Sequence, residues 1–233
     1  MSDKDPFVIA IDGPSGSGKG SLAVNVAREL HFHLLDSGAI YRLLALKALR
    51  LGVDLDNADD VLTVLDDFNI RFEAGDDLTI PLLDEVDVSA EIRREEAGEA
   101  ASKVACHGTV REHLLDKQRS FFKPPGLVAD GRDMGTVVFP EARFKFFLYA
   151  SIEIRAQRRY KQLNNMGLSA NIAHLLEELA ERDERDQNRS VSPLIPAEDA
   201  LIVDSSLLDL SQVTELVLSH IAESSQEIGE RSL

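Results

Sequence analysis

A glycine-rich loop between a short apolar run and a helical segment is the feature that most restricts how this chain can fold. Residues 7–12 (FVIAID) are mostly apolar, as in a strand buried on both faces of a parallel sheet. Residues 13–21 read GPSGSGKGS, and apolar residues at helical spacing follow over residues 22–30. Glycines here leave the backbone N–H groups free to surround phosphate oxygens. The pattern predicts a phosphate-binding loop, or P-loop, that opens an α/β domain.

Each part of this loop has a predicted role in binding ATP. Lys19 brings a positive charge to the β- and γ-phosphates, and the start of the following helix adds a partial positive charge. Gly20 stands where a magnesium-ligating Ser or Thr is usual, and Ser21 comes one place later. We therefore predict no direct metal ligand, and contact with Mg²⁺ only through water, from Ser21 or Asp130. The alternative is an ordinary glycine-rich turn. The predicted ATP-binding loop residues are Gly13, Pro14, Ser15, Gly16, Ser17, Gly18, Lys19, Gly20 and Ser21.

The rest of the chain alternates apolar runs with helical spacing. Further strands are predicted at residues 127–130, 144–150 and 200–204, and helices at residues 40–51, 95–122, 153–164, 171–185 and 211–221. This order predicts a doubly wound parallel sheet of about five strands with helices on both faces. Residues 53–94 differ, because they are acidic and contain short alternating runs at residues 69–73 and 78–80 around a turn at residues 75–77. We interpret them as an insertion with small antiparallel strands.

The charge of the chain limits the classes of partner. The 25 Lys and Arg against 41 Asp and Glu give a net charge of −16 among 233 residues. Binding of a nucleic-acid polymer or an anionic membrane requires a positive surface, so both are excluded as general partners. The acidity is concentrated at residues 51–100, with 3 basic and 16 acidic side chains, and at residues 190–233, with 1 and 8. Cys106 is the single cysteine, which excludes an internal disulfide and predicts a cytoplasmic protein.

A second phosphate site is predicted at residues 35–42 (LDSGAIYR). Ser37 and Gly38 offer hydroxyl and backbone donors at the start of a helix, and Arg42 lies one turn further on. The forked guanidinium of arginine suits a phosphate dianion. We interpret the cluster as the site of an acceptor phosphate; the alternative is a capped helix with a solvated arginine.

Residues 130–135 (DGRDMG) place further polar groups at the carboxyl end of a buried strand, where open α/β sheets bind ligands. Arg132 can neutralise a phosphate, Asp133 can accept a hydrogen bond from a sugar or base, and Asp130 can hold a magnesium-bound water. A simple turn at Asp130 is the alternative interpretation.

Two sets of arginines lie on helical faces later in the chain. Arg155, Arg158 and Arg159 share one face, and Arg182, Asp186 and Arg189 share another. Solvated, salt-bridged helix surfaces would also explain these patterns. The 17 arginines against 8 lysines favour phosphate recognition instead.

Five motifs together resemble the bacterial cytidylate kinase (CMP/dCMP kinase) family, a group of nucleoside monophosphate kinases. The resemblance covers residues 9–205, and adenylate-type kinases share the loop without the DGRDMGT stretch. The motifs are GPSGSGKGS (13–21), LLDSGAIYR (34–42), AASKVA with VRE (100–105 and 110–112), LVADGRDMGTVVFP (127–140) and RDERDQNR (182–189).

The resemblance implies transfer of the ATP γ-phosphoryl group to CMP or dCMP with Mg²⁺ by a monomer. It implies a P-loop core at residues 1–52 and 103–233, a nucleoside monophosphate (NMP)-binding insertion at residues 53–102, and a short lid at about residues 152–168.

The resemblance also implies roles for individual residues. Ser37, Arg42 and Arg132 would surround the acceptor nucleotide and its phosphate, and Ser102, Arg111 and Asp133 would lie near the cytosine. Arg182, Asp186 and Arg189 would contact sugar and phosphates. In the lid, Arg155 and Arg158 would bind ATP. Because the acceptor phosphate is already an anionic nucleophile, no general base is expected. The expected catalytic residues are therefore the cations Lys19, Arg132, Arg159 and Arg182.

Two other functions fit part of this pattern. A P-loop kinase for another small acceptor, such as shikimate or a nucleoside, would keep the loop but not the Ser37/Arg42 and Arg182/Asp186/Arg189 sets. A non-catalytic nucleotide sensor or GTPase-like switch is the other possibility, although the guanine-reading Asn-Lys-x-Asp motif is absent from the sequence.

Overall fold

The computed structural model describes residues 5–73, 80–165, 167 and 169–230. The predicted core extends beyond them at residues 1–4 and 231–233, and the predicted lid at residues 166 and 168. The strands are β1 (Phe7–Asp12), β2 (His33–Asp36), β3 (Ile70–Glu73), β4 (Ile80–Leu83), β5 (Val86–Asp87), β6 (Gly126–Gly131), β7 (Phe144–Tyr149) and β8 (Leu201–Asp204). The helices are α1 (Lys19–Leu30), α2 (Ser37–Arg50), α3 (Ala58–Leu65), α4 (Ser89–Ile92), α5 (Glu95–Val104), α6 (Gly108–Arg119), α7 (Ile152–Asn165), α8 (Ile172–Gln187) and α9 (Leu210–Glu230), with a π-helical turn at Met134–Val138.

Five strands form one parallel sheet in the order β2-β6-β1-β7-β8. This arrangement confirms the predicted fold class. Because the strands are parallel, their carboxyl ends meet at one edge of the sheet. The P-loop follows β1 there, α2 follows β2, and the residues from Arg132 onward follow β6.

Helices cover both faces of this sheet, and the side chains of β1 show why. Val8 and Ala10 belong to one apolar core, whereas Ile9 and Ile11 belong to the other. Alternate residues of a strand point to opposite faces, so a continuous apolar run needs a cover on each. Helices α2, α5 and α6 supply residues to the first core, and α1 and α9 to the second.

Strands β3, β4 and β5 form a separate antiparallel sheet within residues 53–94, where small antiparallel strands were predicted. The predicted run at residues 69–73 corresponds to β3, whereas the predicted turn at residues 75–77 lies outside the described residues. So does most of the predicted run at residues 78–80, since β4 begins at Ile80. Asp84 and Glu85 join β4 to β5 with positive φ values of 50° and 65°, as two-residue hairpin turns require. Lys47 of α2 contacts Asp84 at 3.1 Å and so ties the hairpin to the core.

Several elements differ from the sequence-based prediction. Helices α3 and α4 lie within residues 53–94, where only small strands were predicted. Helical spacing over residues 95–122 predicts one segment, but the chain turns at residues 105–107 and forms α5 and α6. The turn lets α5 pack on α2 while α6 packs on α3. Strand β2 was not predicted, because its sequence HLLD has only two apolar residues and forms no apolar run. Within the residues described, no helix is long and apolar enough to span a membrane.

Candidate active site

The P-loop takes backbone conformations that few residues other than glycine adopt. Gly13, Gly16 and Gly18 have φ values of 152°, 77° and 98°. At Gly13 a side chain is also excluded by space, because a Cβ atom would lie 2.2 Å from the carbonyl oxygen of Leu148. The loop therefore passes directly over the end of β7 and reaches the first turn of α1 with its N–H groups unencumbered by side chains.

Lys19 is a buried cation at the start of α1. Its Nζ donates a hydrogen bond to the carbonyl oxygen of Pro14 at 3.2 Å. Burial, followed by the positive charge of Arg132, lowers the pKa of Lys19 to about 7, although Asp130 acts in the opposite direction. A phosphate anion bound in the loop would raise the pKa of Lys19 again, because its negative charge compensates for the lost solvation.

The depressed pKa of Lys19 predicts uptake of a proton when a phosphate ligand binds. Above pH 7 the amine is largely neutral in the free protein, and a bound anion returns its pKa toward 10.5. Binding of ADP at pH 8 should take up as much as about one proton, and its affinity should fall as the pH rises above about 7. Calorimetry in buffers of different ionisation enthalpy measures this. Lys19→Met is the control, and equal proton uptake by both proteins would contradict the assignment.

Two carboxylates lie side by side where β2 and β6 end. Asp36 and Asp130 are register partners on these strands. Asp36 caps α2 by accepting a hydrogen bond from the N–H of Ala39 at 2.9 Å, which fixes the turn that precedes Arg42. Asp130 is buried, and its Oδ1 has no hydrogen-bond partner among the described residues. Burial raises the pKa of Asp130, against the effect of Lys19.

The carboxylate of Asp130 also explains the unusual loop residue Gly20. A Cβ atom at Gly20 would lie 3.3 Å from Asp130 Oδ2, which is closer than most such contacts. Ser21 is exposed and lies outside the cleft beside Lys19, in a groove next to α9. Asp130 is therefore the better placed of the two residues for which contact with Mg²⁺ through water was predicted.

Asp12 joins the P-loop strand to the DGRDMG segment, a link that the sequence analysis missed. It ends β1, is almost fully buried, and accepts hydrogen bonds at 2.8 Å from the N–H groups of both Met134 and Gly135. Burial raises the pKa of Asp12 to about 7, although these two bonds lower it. The carboxylate holds the first turn of the π-helical segment and so sets where the preceding Arg132 and Asp133 lie. The sequence feature that could have identified Asp12 is a single carboxylate at the end of an otherwise apolar strand.

Arg132 and Asp186 bring the DGRDMG segment to α8. Arg132 Nε donates to Asp186 Oδ2 at 2.8 Å. Burial alone would raise the pKa of Asp186, but Arg132, Arg182 and Arg189 hold it below its ordinary value. Arg182 is half-buried, and its buried Nε has no partner among the described residues. Loss of solvation, then Arg132 and Arg42, lower the pKa of Arg182 to about 9. This cation is thus unfavourably placed unless an anion binds beside it.

The residues predicted to lie near the cytosine also come together. Arg111 forms a buried ion pair with Asp133, and its guanidinium stacks over the ring of Tyr41 at 5.4 Å. The hydroxyl of Ser102 is buried nearby without a partner among the described residues. Ser37 is engaged elsewhere, because its hydroxyl donates to Gln118 Oε1 at 2.7 Å.

One cleft brings together most of the predicted residues from motifs far apart in the chain. Its lining includes six Lys and Arg side chains against four Asp, in a chain whose net charge is −16. The predicted residues that line it are Ser15, Gly16, Lys19, Gly20, Arg42, Ser102, Arg111, Asp130, Arg132, Asp133, Arg182, Asp186 and Arg189, and Asp36, Gly38 and Tyr41 lie among them. Those that do not line it are Gly13, Pro14, Ser17, Gly18, Ser21, Ser37, Arg155, Arg158 and Arg159.

The three arginines of the predicted lid are held by protein groups in this structure. Arg155 is buried and pairs with Asp183. Arg158 donates to the carbonyl oxygens of Ser17 at 2.8 Å and Ser205 at 2.6 Å. Arg159 pairs with Glu95 at the start of α5. None of the three reaches the cleft, so their predicted contacts with ATP phosphates require exchange of these partners.

Comparison of the sequence with known proteins identifies one family. A sequence model described as cytidylate kinase matches residues 9–223. A cytidylate kinase of Photobacterium profundum is 53% identical over 227 residues, covering 97% of this chain and 99% of its own length. One of Paraburkholderia phytofirmans is 55% identical over 222 residues, covering 94% and 96%. A solved shikimate kinase of Acinetobacter baumannii, in complex with shikimate, is 15% identical with a TM-score of 0.48 and 94% coverage of both chains.

Proposed function

Because the chain belongs to the cytidylate kinase family, we propose that the cleft beside Lys19 is where it carries out the reaction of that family. The protein transfers the γ-phosphoryl group of ATP to CMP or dCMP, giving ADP and CDP or dCDP. The observation that carries the assignment of the site is the set of six cations around one cleft next to the P-loop. A local excess of positive charge in an acidic protein fits two phosphorylated ligands that must meet there.

The two phosphates would enter the cleft from different elements. The N–H groups of the P-loop and Lys19 would hold the β- and γ-phosphates of ATP, and Arg42, Arg132 and Arg182 would hold the phosphate of CMP. Both sets line one cleft at the carboxyl edge of the sheet. Ligands held there would bring the acceptor oxygen towards the γ-phosphorus. Positioning in line and neutralisation of charge are what phosphoryl transfer requires from a protein. The acceptor phosphate is anionic, and no side chain has to remove a proton from it.

The cytosine would be recognised by the buried pair of Arg111 and Asp133 together with Ser102. Cytosine offers a donor at its exocyclic amine and an acceptor at N3, whereas uracil offers the reverse. Asp133 would accept from the amine, and Arg111 would donate to N3. A buried charged pair rejects a base that leaves it unsatisfied far more strongly than a shape-based pocket does. Asp186 would accept from the sugar, and Arg189, which contacts it, would hold Asp186 in place.

Mg²⁺ fits this site through Asp130. Oxygen ligands are those that Mg²⁺ prefers, and it usually keeps several of its waters. The buried Asp130 Oδ1 has no partner among the described residues, although no cluster of three or more His, Cys, Asp or Glu in that part of the chain is arranged to hold a metal by itself. Asp130 would therefore bind a water of a metal that ATP brings with it. Bound there, Mg²⁺ would reduce the negative charge of the β- and γ-phosphates.

A groove on the other flank of the P-loop would receive the adenine of ATP. It is lined by loop residues, by Arg158 and by apolar side chains that include Leu148, Leu208 and Val213. Arg158 and Arg159 would exchange their present partners for phosphate oxygens as the lid closes, and closure would exclude water as a competing acceptor. We propose residues 53–102 as the NMP-binding insertion and about residues 152–168 as the lid. Residues 1–52 and 103–233 form the proposed P-loop core.

We further propose that the protein works as a cytoplasmic monomer that binds free nucleotides and no nucleic-acid polymer. The net charge of −16 disfavours the polymer, since counter-ion release requires a basic surface. The single Cys106 suits a reducing compartment.

Turnover of the individual nucleoside monophosphates tests the proposed function. With ATP and Mg²⁺ present, we expect CMP and dCMP to support ADP release roughly 100-fold more efficiently than UMP, because UMP leaves Arg111 and Asp133 unsatisfied. Faster turnover of AMP or UMP would contradict the acceptor assignment. ATP binding without turnover of any acceptor would instead indicate a sensor. The reaction without acceptor is the control.

A further inference from the structure

Two neighbouring residues of α8 point to different parts of the molecule. Arg182 lines the cleft on the side assigned to CMP. Asp183 pairs with Arg155 of α7, through Asp183 Oδ1 with Arg155 Nη1 at 3.1 Å and Asp183 Oδ2 with Nη2 at 2.5 Å. Both side chains are largely buried, with 15% and 4% of their surface exposed. A two-pronged, buried pair of this kind fixes the relative position of the two helices.

The same guanidinium holds the P-loop. Arg155 Nη1 donates to the carbonyl oxygen of Ser15 at 3.0 Å, and Arg155 Nε donates to that of Ala150 at 3.0 Å. Gly16 packs directly on Arg155, because a Cβ atom there would lie 3.2 Å from Arg155 Cβ. Ser15 and Gly16 both line the cleft. One side chain thus connects the phosphate loop, the end of β7 and α8.

Arg155 has few hydrogen-bond donors left for ATP. Its Nε and both terminal nitrogens already donate to protein oxygens, and the carboxylate of Asp183 compensates its charge at close range. Moving it to a phosphate would leave Asp183 buried without its cation, which is costly. Arg158 is different, because it is bonded to carbonyl oxygens and has no such carboxylate partner among the bonds seen in the described residues.

We infer that Asp183 and Arg155 are positioning residues that act as one unit and set the distance between the P-loop and the cleft-lining face of α8. Asp183 holds Arg155, and Arg155 holds Ser15 and Gly16, so the donor phosphates are placed relative to Arg182 on the acceptor side. A displacement of about 1 Å in such a site can lower a rate about 100-fold. This inference rests on the proposed function, because it takes the two sides of the cleft as donor and acceptor sites.

A double-mutant cycle with Arg155→Met and Asp183→Ala tests the inference. We expect each single variant to lower kcat about 10- to 100-fold with a smaller change in the KM for CMP. The double variant should be no worse than the more damaging single variant, because either change already breaks the unit. Asp183→Glu should recover part of kcat. Glu184→Ala, an exposed neighbour on α8, is the matched control and should retain parental kcat.

Binding of ADP, measured by calorimetry on the same proteins, gives a second readout that does not depend on the acceptor. Arg155→Met and Asp183→Ala should weaken ADP binding by similar factors, again without a further loss in the double variant. If Arg155 instead contacts phosphate directly, Asp183→Ala will leave kcat and ADP binding near the parental values while Arg155→Met lowers both, and that result overturns the inference. If Asp183→Ala does not fold, Asp183→Asn takes its place in the cycle. A parent protein that binds ADP but does not turn over CMP would refute the proposed function and leave the ADP cycle interpretable.

Discussion

Replacement of Lys19 by methionine is expected to lower kcat with CMP and ATP by about 1,000-fold while the protein stays folded. Lys19 supplies the positive charge nearest the proposed β- and γ-phosphates, and a preorganised cation of this kind contributes about that much to phosphoryl transfer. Methionine keeps the apolar stem of the side chain in its buried position. Because burial already lowers the pKa of Lys19, loss of the amine removes an unfavourably placed cation, so we expect no loss of thermal stability.

The measurements are ADP release under saturating substrates and thermal unfolding of the free protein. Lys123→Met is a matched control, since Lys123 is exposed and lies just before β6, at the opposite edge of the sheet from the cleft. It should have parental kcat. Turnover of Lys19→Met within a few-fold of the parent would remove Lys19 from the mechanism and place the γ-phosphate elsewhere.

Replacement of Arg182 by methionine is expected to have opposite effects on stability and on activity. Arg182 is half-buried, its buried Nε is unpaired among the described residues, and loss of solvation together with Arg132 and Arg42 lowers its pKa to about 9. Such a cation costs stability in the protein without nucleotide, so we expect the unfolding temperature to rise by about 2 °C or more. Two phosphates in the cleft would supply the missing negative charge. Loss of the Arg182 cation should therefore lower kcat about 100- to 1,000-fold.

Thermal unfolding with and without CMP and ADP separates these effects. The parent should gain more stability from the two nucleotides than Arg182→Met does, because the parent has the additional cation to bind them. Lys123→Met again serves as the control for removal of a positive charge. A variant that is both less stable and fully active would show that Arg182 has a structural role and no role in catalysis.

Much of the fold could be predicted from local patterns in the sequence. The run of β1 is apolar throughout because both of its faces are covered, and Val8 and Ile9 belong to different cores. Strands β6 and β7 were predicted from apolar runs of the same kind. This reasoning failed for β2, whose four residues place only Leu35 in a fully buried position. It also joined α5 to α6, since helical spacing continues through a turn whose position is set by packing on α2 and α3.

The candidate site was predicted as separate motifs, whereas its arrangement was not predictable. The structure brings Lys19, Arg42 and Arg132 to one cleft because the parallel strands before them end at one edge. The bond from Arg132 to Asp186 brings α8, and with it Arg182, to the same cleft. The residues that the sequence analysis missed have partners far away in the chain. Asp12 holds the segment that begins at Met134, and Gln118 holds Ser37. Asp183 lies within the motif RDERDQNR, but nothing in that motif indicates that Asp183 contacts Arg155.

Residue types and local spacing were enough to predict a glycine-rich phosphate loop and an excess of arginine at separated motifs. These properties depend on residue type and local spacing, so they are visible along the chain. Which cations face the cleft and which are held by protein groups depends on the tertiary structure. Arg182 lines the cleft, whereas Arg155 is held by Asp183 and Ser15. The free energy of a desolvated cation depends on the groups that folding places within hydrogen-bond distance, and local sequence does not contain those distances.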